Sequence, residues 1–128
     1  MTEGQFTKWL EAFGKAWQTN EPDDIGALVP DTFLWHAGPY VEIFRDRATL
    51  VDHWVSTVNT HSNVKPEYQI LACESGRGIC RYWVSYLLHK TAQVECDFIL
   101  LVSLDESGRC TEFHEWMGTR MSPLPEYV

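Results

Sequence analysis

The spacing of apolar residues changes once along this chain, from a helical period to a strand period. Over residues 3–20, apolar side chains recur every three or four positions, which predicts an amphipathic helix with one wide apolar stripe. Pro22 suits the first turn of a short second helix that ends near Val29. Asp46 is placed to cap a third helix over roughly residues 47–60. Its inner stripe would carry Leu50, Trp54 and Val58.

The second half of the chain has the pattern of β-strands. Four segments rich in β-branched and aromatic residues are joined by polar turns, at residues 67–74, 78–89, 93–104 and 109–118. A further β-rich stretch, residues 32–37, precedes Gly38-Pro39 and a loop through Phe44. Helices followed by antiparallel strands predict an α+β fold, in which a bent sheet carries the helices on one face.

Several of the predicted strands are apolar on both faces, which is unusual for an antiparallel sheet with one face in water. We therefore expect both faces to be covered, one by the helices and one by a second copy of the chain. The predicted homodimer face is the outer one, carrying Tyr82, Val84, Tyr86, Ile99, Leu101 and Trp116.

Composition limits the class of protein. A chain of 128 residues suits a single domain, and 45% hydrophobic residues with six Trp exclude disorder. The net charge of −8 argues against nucleic acid and anionic membranes as partners. Apolar runs are too short to span a bilayer, and the first residues lack a secretion signal. Four cysteines without CxxC spacing predict free thiols in the cytoplasm and no metal site.

Glu115 is the main candidate for chemistry. Period-two alternation groups it with Phe113 and Met117, so a core-facing strand would bury a carboxyl group between apolar side chains. Such a group either finds a partner or has a raised pKa, and general acid–base catalysis uses both conditions. Arg81 is the basic side chain that we place on the same face, either as a catalytic partner or as one half of a structural ion pair.

Rings and apolar side chains should converge around Glu115 and leave a pocket for a small apolar molecule. The predicted lining is Phe13, Trp17, Trp35, Trp54, Trp83, Phe98, Leu100, Phe113 and Met117. If Trp35 points inward, the adjacent His36 points outward. No cofactor is expected.

The order of these motifs resembles the SnoaL-like branch of the nuclear transport factor 2-like superfamily. The resemblance rests on segments spread over nearly the whole chain: residues 9–17, Pro39-Tyr40 leading to Leu50 and Trp54, Trp83, Asp97-Phe98, residues 104–110, and Glu115-Trp116. It departs at Asp46, where the family pattern tends to have Gly. The resemblance implies a cone-like α+β barrel, with three helices packed on the concave face of a curved, largely antiparallel sheet.

Relatives within this superfamily imply different reactions. Ketosteroid isomerase would need polar groups where this chain has Phe13, Ala37 or Gly38, and Leu100. Limonene-type epoxide hydrolase would match Glu115 and Arg81, but Trp83 stands where a second carboxylate is expected. Its water-positioning polar pair would fall on Trp35 and Ala37. Scytalone-type dehydratases use histidines, for which His36 and His53 are available.

SnoaL-type polyketide cyclases need a single acid in an apolar pocket, which Glu115 could supply. Two hypotheses about function follow. The first is a cofactor-free enzyme that catalyses cyclisation, dehydration or isomerisation of a cyclic or polyketide-like substrate. The second is a binding or scaffold protein in which Glu115 only anchors a ligand.

Overall fold

The computed structural model describes residues 1–122, in which three helices pack on one face of a six-stranded sheet. The helices are α1 (Glu3–Thr19), α2 (Pro22–Gly26) and α3 (Arg47–Val58). The strands are β1 (Leu34–His36), β2 (Ile43–Phe44), β3 (His61–Glu74), β4 (Arg77–Leu88), β5 (Ala92–Leu104) and β6 (Cys110–Ser122).

The sheet is mixed and open. Its strand order is β2-β1-β6-β5-β4-β3, and β1 runs parallel to β6 while the other neighbours are antiparallel. The predicted α+β architecture is confirmed. The sheet does not close into a barrel, because β2 and β3 remain as its two edges.

The helix boundaries follow from local capping. The hydroxyl of Thr2 accepts a hydrogen bond from the backbone N–H of Gln5, whose side chain in turn accepts one from the Thr2 N–H. Asn20 ends α1 in a left-handed conformation with φ of 52°. Asp46 caps α3 as predicted, since its carboxylate accepts from the backbone N–H of Thr49.

Three strand boundaries differ from the prediction. The sequence predicts a loop where β2 lies. This strand is two residues long, and it forms because Phe44 pairs with Trp35 of β1. β3 starts at His61, six residues early, in a polar segment that gives little strand signal. β6 runs on to Ser122, beyond the predicted end at residue 118.

The core lies between the helices and the inner face of the sheet, and aromatic rings dominate it. Trp35 and Phe113 stack with ring centroids 3.8 Å apart, and Phe13 stacks on Trp9 at 5.2 Å. The indole N–H of Trp9 donates to the carbonyl of Leu28 at 3.1 Å. The stacked rings tie α1 to the junction between β1 and β6.

The two faces of β4 lie opposite to the prediction: the side chains expected on the outer face point inward. Tyr82, Val84 and Tyr86 are buried on the inner face rather than exposed on the outer one. The cause is their register, because Tyr82 lies opposite the core residue Phe98 of β5. Ile99, Leu101 and Trp116 do face outward, and Ile99 and Trp116 are 39% and 46% exposed.

A close approach between α1 and β4 makes Gly78 necessary. A Cβ atom there would overlap the ring of Phe6, which is fully buried. We predict that Gly78→Ala lowers the free energy of unfolding by about 1–3 kcal/mol, as other overpacked core substitutions do. Gly118→Ala is the control, since a Cβ at that position meets nothing within 4 Å. Urea denaturation should show the loss for Gly78→Ala alone; equal stability of both variants would contradict it.

The homodimer remains a prediction, now with a corrected surface. The outer face presents Ile79, Ile99, Leu101 and Trp116, flanked by the ion pairs Arg81–Asp97 and Arg120–Glu95. Because each of these two pairs is neutral in itself, neither adds net charge to the apolar surface that a second copy would meet. We expect a dimer by light scattering at micromolar concentration, and a monomer for the Ile99→Glu, Trp116→Glu variant. A monomeric wild-type protein would refute the prediction.

Candidate active site

A cavity of about 420 Å³ opens between α1, α3 and the inner face of the sheet. Its walls are mostly aromatic and aliphatic, which is the usual character of a site for a small organic molecule. No Lys or Arg is among the described side chains that line it. The lining residues are Phe13, Trp17, Trp35, Ala37, Leu50, His53, Trp54, Thr57, Val58, His61, Tyr86, Cys96, Phe98, Glu115, Met117 and Thr119.

Glu115 projects into this cavity from β6, as the alternation predicts. Its strand neighbour on β5 is Leu100, which is buried, so the carboxyl group stands on an apolar floor. Burial raises the pKa of Glu115 from its ordinary 4.5 to about 8. Within residues 1–122 no side chain or backbone group forms a hydrogen bond or ion pair with it. At neutral pH the group is therefore mainly the uncharged acid.

Arg81 is not the partner of Glu115, contrary to the prediction. Its guanidinium donates to both carboxylate oxygens of Asp97, at 3.1 and 2.7 Å, and lies 4.7 Å above the ring of Trp83. Trp83 in turn donates its indole N–H to Glu67 at 2.7 Å. Both side chains lie on the outer face because Tyr82, between them, points into the core. Neither lines the cavity.

The outer face holds a larger groove of about 710 Å³, and Arg81 and Trp83 belong to it. Its other side chains are largely charged or polar, and they include the Arg81–Asp97 and Arg120–Glu95 ion pairs. Such a surface is less suited to an apolar ligand than the aromatic cavity on the inner face. We therefore assign the candidate active site to the inner cavity.

Six of the nine residues predicted to line the pocket lie at this cavity, and three do not. Phe13, Trp17, Trp35, Trp54, Phe98 and Met117 line the cavity, with Met117 57% exposed. Leu100 and Phe113 are fully buried in the wall behind it, and Phe113 is held there by its stack on Trp35. Trp83 is outside, as described above.

Two polar groups of the cavity wall escaped the sequence analysis. The indole N–H of Trp54 is buried and has no hydrogen-bond partner within residues 1–122. The indole N–H of Trp17 donates to Nδ1 of His61 at 3.0 Å. The sequence predicts a strand that starts only at residue 67. It therefore did not show that His61 lies in a strand, nor which face of the sheet its side chain is on.

The other histidines have different positions. His36 points away from the cavity, as predicted, and stacks on His114 with ring centroids 4.0 Å apart. Burial and the neighbouring His114 lower the pKa of His36. His53 lies at the edge of the cavity against Phe44, and its side chain is exposed. Within residues 1–122, no three His, Cys, Asp or Glu side chains converge as metal ligands would.

Comparison with known proteins finds similarity in structure rather than in sequence. No family model matches the chain, and no curated protein matches it. Among solved structures, a limonene epoxide hydrolase-like (LEH-like) epoxide hydrolase from Mycobacterium tuberculosis superposes with a TM-score of 0.68 at 14% identity, over 90% of this chain and 84% of that one.

Two further structures superpose more closely. SalBIII, an epoxide hydrolase/cyclase-like enzyme in pyran ring formation in the polyether salinomycin, gives a TM-score of 0.75 at 13% identity, over 92% of this chain and 95% of that one. RV0760c from Mycobacterium tuberculosis gives a TM-score of 0.79 at 8% identity, over 95% of this chain and 99% of that one.

This chain has the nuclear transport factor 2-like fold of the SnoaL-like and LEH-like proteins. The resemblance noted from the sequence is thereby confirmed at the level of fold. None of the helices within residues 1–122 has the length and apolar content needed to cross a membrane.

The isolated carboxyl group predicts a pH-dependent stability. The pKa of Glu115 is higher in the folded chain than in the unfolded one, so the unfolded chain releases the proton first as pH rises. The stability that this group contributes is present below about pH 4.5 and is lost as pH rises to about 8. Integrated over that range, the loss is at most about 5 kcal/mol.

Glu115→Gln removes this titration and keeps the shape. We expect the variant to gain stability relative to the wild type as pH rises from 5 to 8, with little difference near pH 4.5. Urea denaturation at several pH values measures it, and other ionisable groups cancel in the difference. A variant that loses stability at pH 8 would show that an unseen partner holds the carboxylate.

Proposed function

We propose that this protein is a cofactor-free acid–base enzyme acting on a small, uncharged, mainly apolar molecule, with Glu115 as the catalytic group. The observation that supports this most is the carboxyl group itself, which has a pKa of about 8 and stands in an aromatic cavity with no hydrogen-bond or ion-pair partner among residues 1–122. An acid whose pKa lies near the working pH can both give and take a proton, which is the condition for efficient general acid–base catalysis.

The cavity chemistry selects the substrate class. A carboxylate or phosphate on the ligand would meet no lysine or arginine there and would repel Glu115 when that group is ionised. An ether, epoxide, carbonyl or hydroxyl oxygen would accept a hydrogen bond from the protonated acid. Trp54, in the same wall, has a buried indole N–H with no acceptor within residues 1–122.

Ring closure is the reaction that one carboxyl group performs best. In the proposed step, a substrate hydroxyl attacks an epoxide carbon, so that a new C–O bond forms as the epoxide C–O bond breaks. Glu115 gives its proton to the departing oxygen, and its second oxygen takes the proton of the attacking hydroxyl. The carboxyl group is regenerated, and no oxidant, reductant or metal is needed. Isomerisation and dehydration require the same proton exchange.

Structural neighbours agree with this reaction class. One is an epoxide hydrolase/cyclase-like enzyme in pyran ring formation, and another is an LEH-like epoxide hydrolase. Epoxide hydrolysis needs groups that hold and deprotonate a water molecule. Arg81 and Trp83, which stand where the resemblance would seek part of that machinery, lie on the outer face. Cyclisation therefore ranks above hydrolysis in this proposal.

A ligand-binding protein without catalysis is the alternative. The same cavity would serve, and the protonated Glu115 would anchor an oxygen atom of the ligand. The two proposals differ only in turnover. For either, we propose the cytoplasm as the location, since all four cysteines are free thiols.

Turnover by Glu115 variants tests the proposal. We expect the wild type to convert at least one member of a panel of hydroxy-epoxides, cyclic epoxides and cyclic enones, followed by mass spectrometry. Glu115→Gln should lower the rate by a factor of about 100 or more. Glu112→Gln is the matched control, because it removes an acid from the outer face of the same strand, where Glu112 contacts His114.

Two results would refute catalysis by Glu115. One is full activity in Glu115→Gln. The other is binding of panel compounds, seen as quenching of tryptophan fluorescence, without conversion of any of them. The second result would favour the ligand-binding protein.

A further inference from the structure

His61 lines the cavity, and its ring is held there by two aromatic neighbours. It stacks on Tyr86 with centroids 3.8 Å apart and an interplanar angle of 15°. Its Nδ1 lies 3.0 Å from the indole nitrogen of Trp17. Trp17, Tyr86 and His61 all line the cavity. The ring therefore has a set orientation rather than the freedom of a surface histidine.

The contact with Trp17 also fixes the position of the proton on His61. An indole nitrogen can only donate, so Nδ1 must be the unprotonated nitrogen that accepts. The neutral ring then carries its proton on Nε2. Within residues 1–122, Nε2 has no hydrogen-bond partner, and it is not sealed in the core. Burial and the nearby His89 lower the pKa of His61, which favours this neutral form.

His61 and Glu115 stand at different ends of the sheet. Glu115 lies in the cross-strand row of Leu100 and Cys80, whereas His61 stacks on Tyr86, six residues further along β4. Phe13, Trp17 and Phe98 are among the aromatic side chains of the wall that also holds these two polar groups. Glu115 and His61 are thus two hydrogen-bond donors at separated points of a largely aromatic wall.

We propose that His61 is a specificity-determining residue, whose Nε2–H donates to an oxygen of the substrate at the far end from Glu115. Trp17 acts as its positioning residue by holding the donor tautomer. The substrate class is then an elongated, uncharged molecule with an aromatic or alicyclic body and one oxygen acceptor at each end. This inference rests on the cavity being the substrate site, as the proposed function requires.

Binding of paired probes tests the two-donor arrangement without any turnover. Three diketones of increasing length are 1,4-diacetylbenzene, 2,6-diacetylnaphthalene and 4,4′-diacetylbiphenyl. Each is compared with its own monoacetyl analogue, and tryptophan fluorescence quenching gives the Kd values. We expect at least one diketone to bind about three- to tenfold tighter than its analogue, the gain of one added hydrogen bond. No preference at any length would overturn the proposal.

Three variants then assign the preference to His61. His61→Phe keeps a ring for the stack on Tyr86 and removes the N–H, so the diketone preference should vanish while monoketone affinity stays. His61→Gln retains an amide N–H and should keep part of the preference. Trp17→Phe should weaken it, because the ring loses the donor that holds Nδ1 unprotonated. An unchanged diketone preference in folded His61→Phe protein would refute the assignment.

Nitrogen-15 NMR gives a readout that packing alone would not change. We expect the His61 ring of the wild type to show the Nε2–H tautomer, and Trp17→Phe to show a mixture. The Nδ1–H tautomer in the wild type would contradict the proposal. The outcomes are also separable from the proposed catalysis. Loss of turnover in Glu115→Gln with an intact diketone preference would support Glu115 as the catalytic acid. Loss of the diketone preference in His61→Phe would support His61 as the second donor.

Discussion

The stack of Trp35 on Phe113 is the contact on which the candidate site depends. It joins the short strand β1 to β6 and sets which face of β6 meets the core. Because side chains alternate along a strand, an inward Phe113 forces Glu115 inward as well. A register slip of one residue would turn the carboxyl group to solvent and place His114 and Trp116 inside. The position of the acid is thus decided by ring packing two residues away.

The same geometry explains the electrostatics of the acid. Glu115 enters a cavity whose wall includes the rings of Trp35, Phe13 and Phe98. None of these three rings offers the carboxylate a counter-charge. The cost of ionisation then appears as a raised pKa rather than as an ion pair. Arg81 would have produced the opposite result, since a guanidinium at hydrogen-bond distance lowers a carboxyl pKa and makes a weak base. Its engagement with Asp97 on the other face leaves the acid suited to proton transfer.

The sequence predicted whatever depended on a local pattern. The helices, the Asp46 cap of α3 and the inward direction of Glu115 follow from spacing and from a single capping residue. The direction of Arg81 did not, because both faces of β4 are apolar and alternation alone cannot tell which one is inside. The pairing of Tyr82 with Phe98 decides it, and that is a contact between strands. β2 and the early start of β3 were missed for a similar reason: each is stabilised by a partner strand more than by its own residues.

His61 shows how a site can gain specificity from residues that carry no motif. A histidine before a strand gives no signal in the sequence, and its role emerges only when the end of α1 brings Trp17 to its Nδ1. Trp17 was predicted to line the pocket as an apolar ring, yet its indole N–H also settles the tautomer of its neighbour. The protonated Glu115 and the neutral His61 then both present hydrogen-bond donors at neutral pH. Because no Lys or Arg is among the described side chains of the wall, these donors favour uncharged oxygen atoms over anions. Under the proposed function, the selection of substrate and the supply of the proton would then arise from the same exclusion of charge.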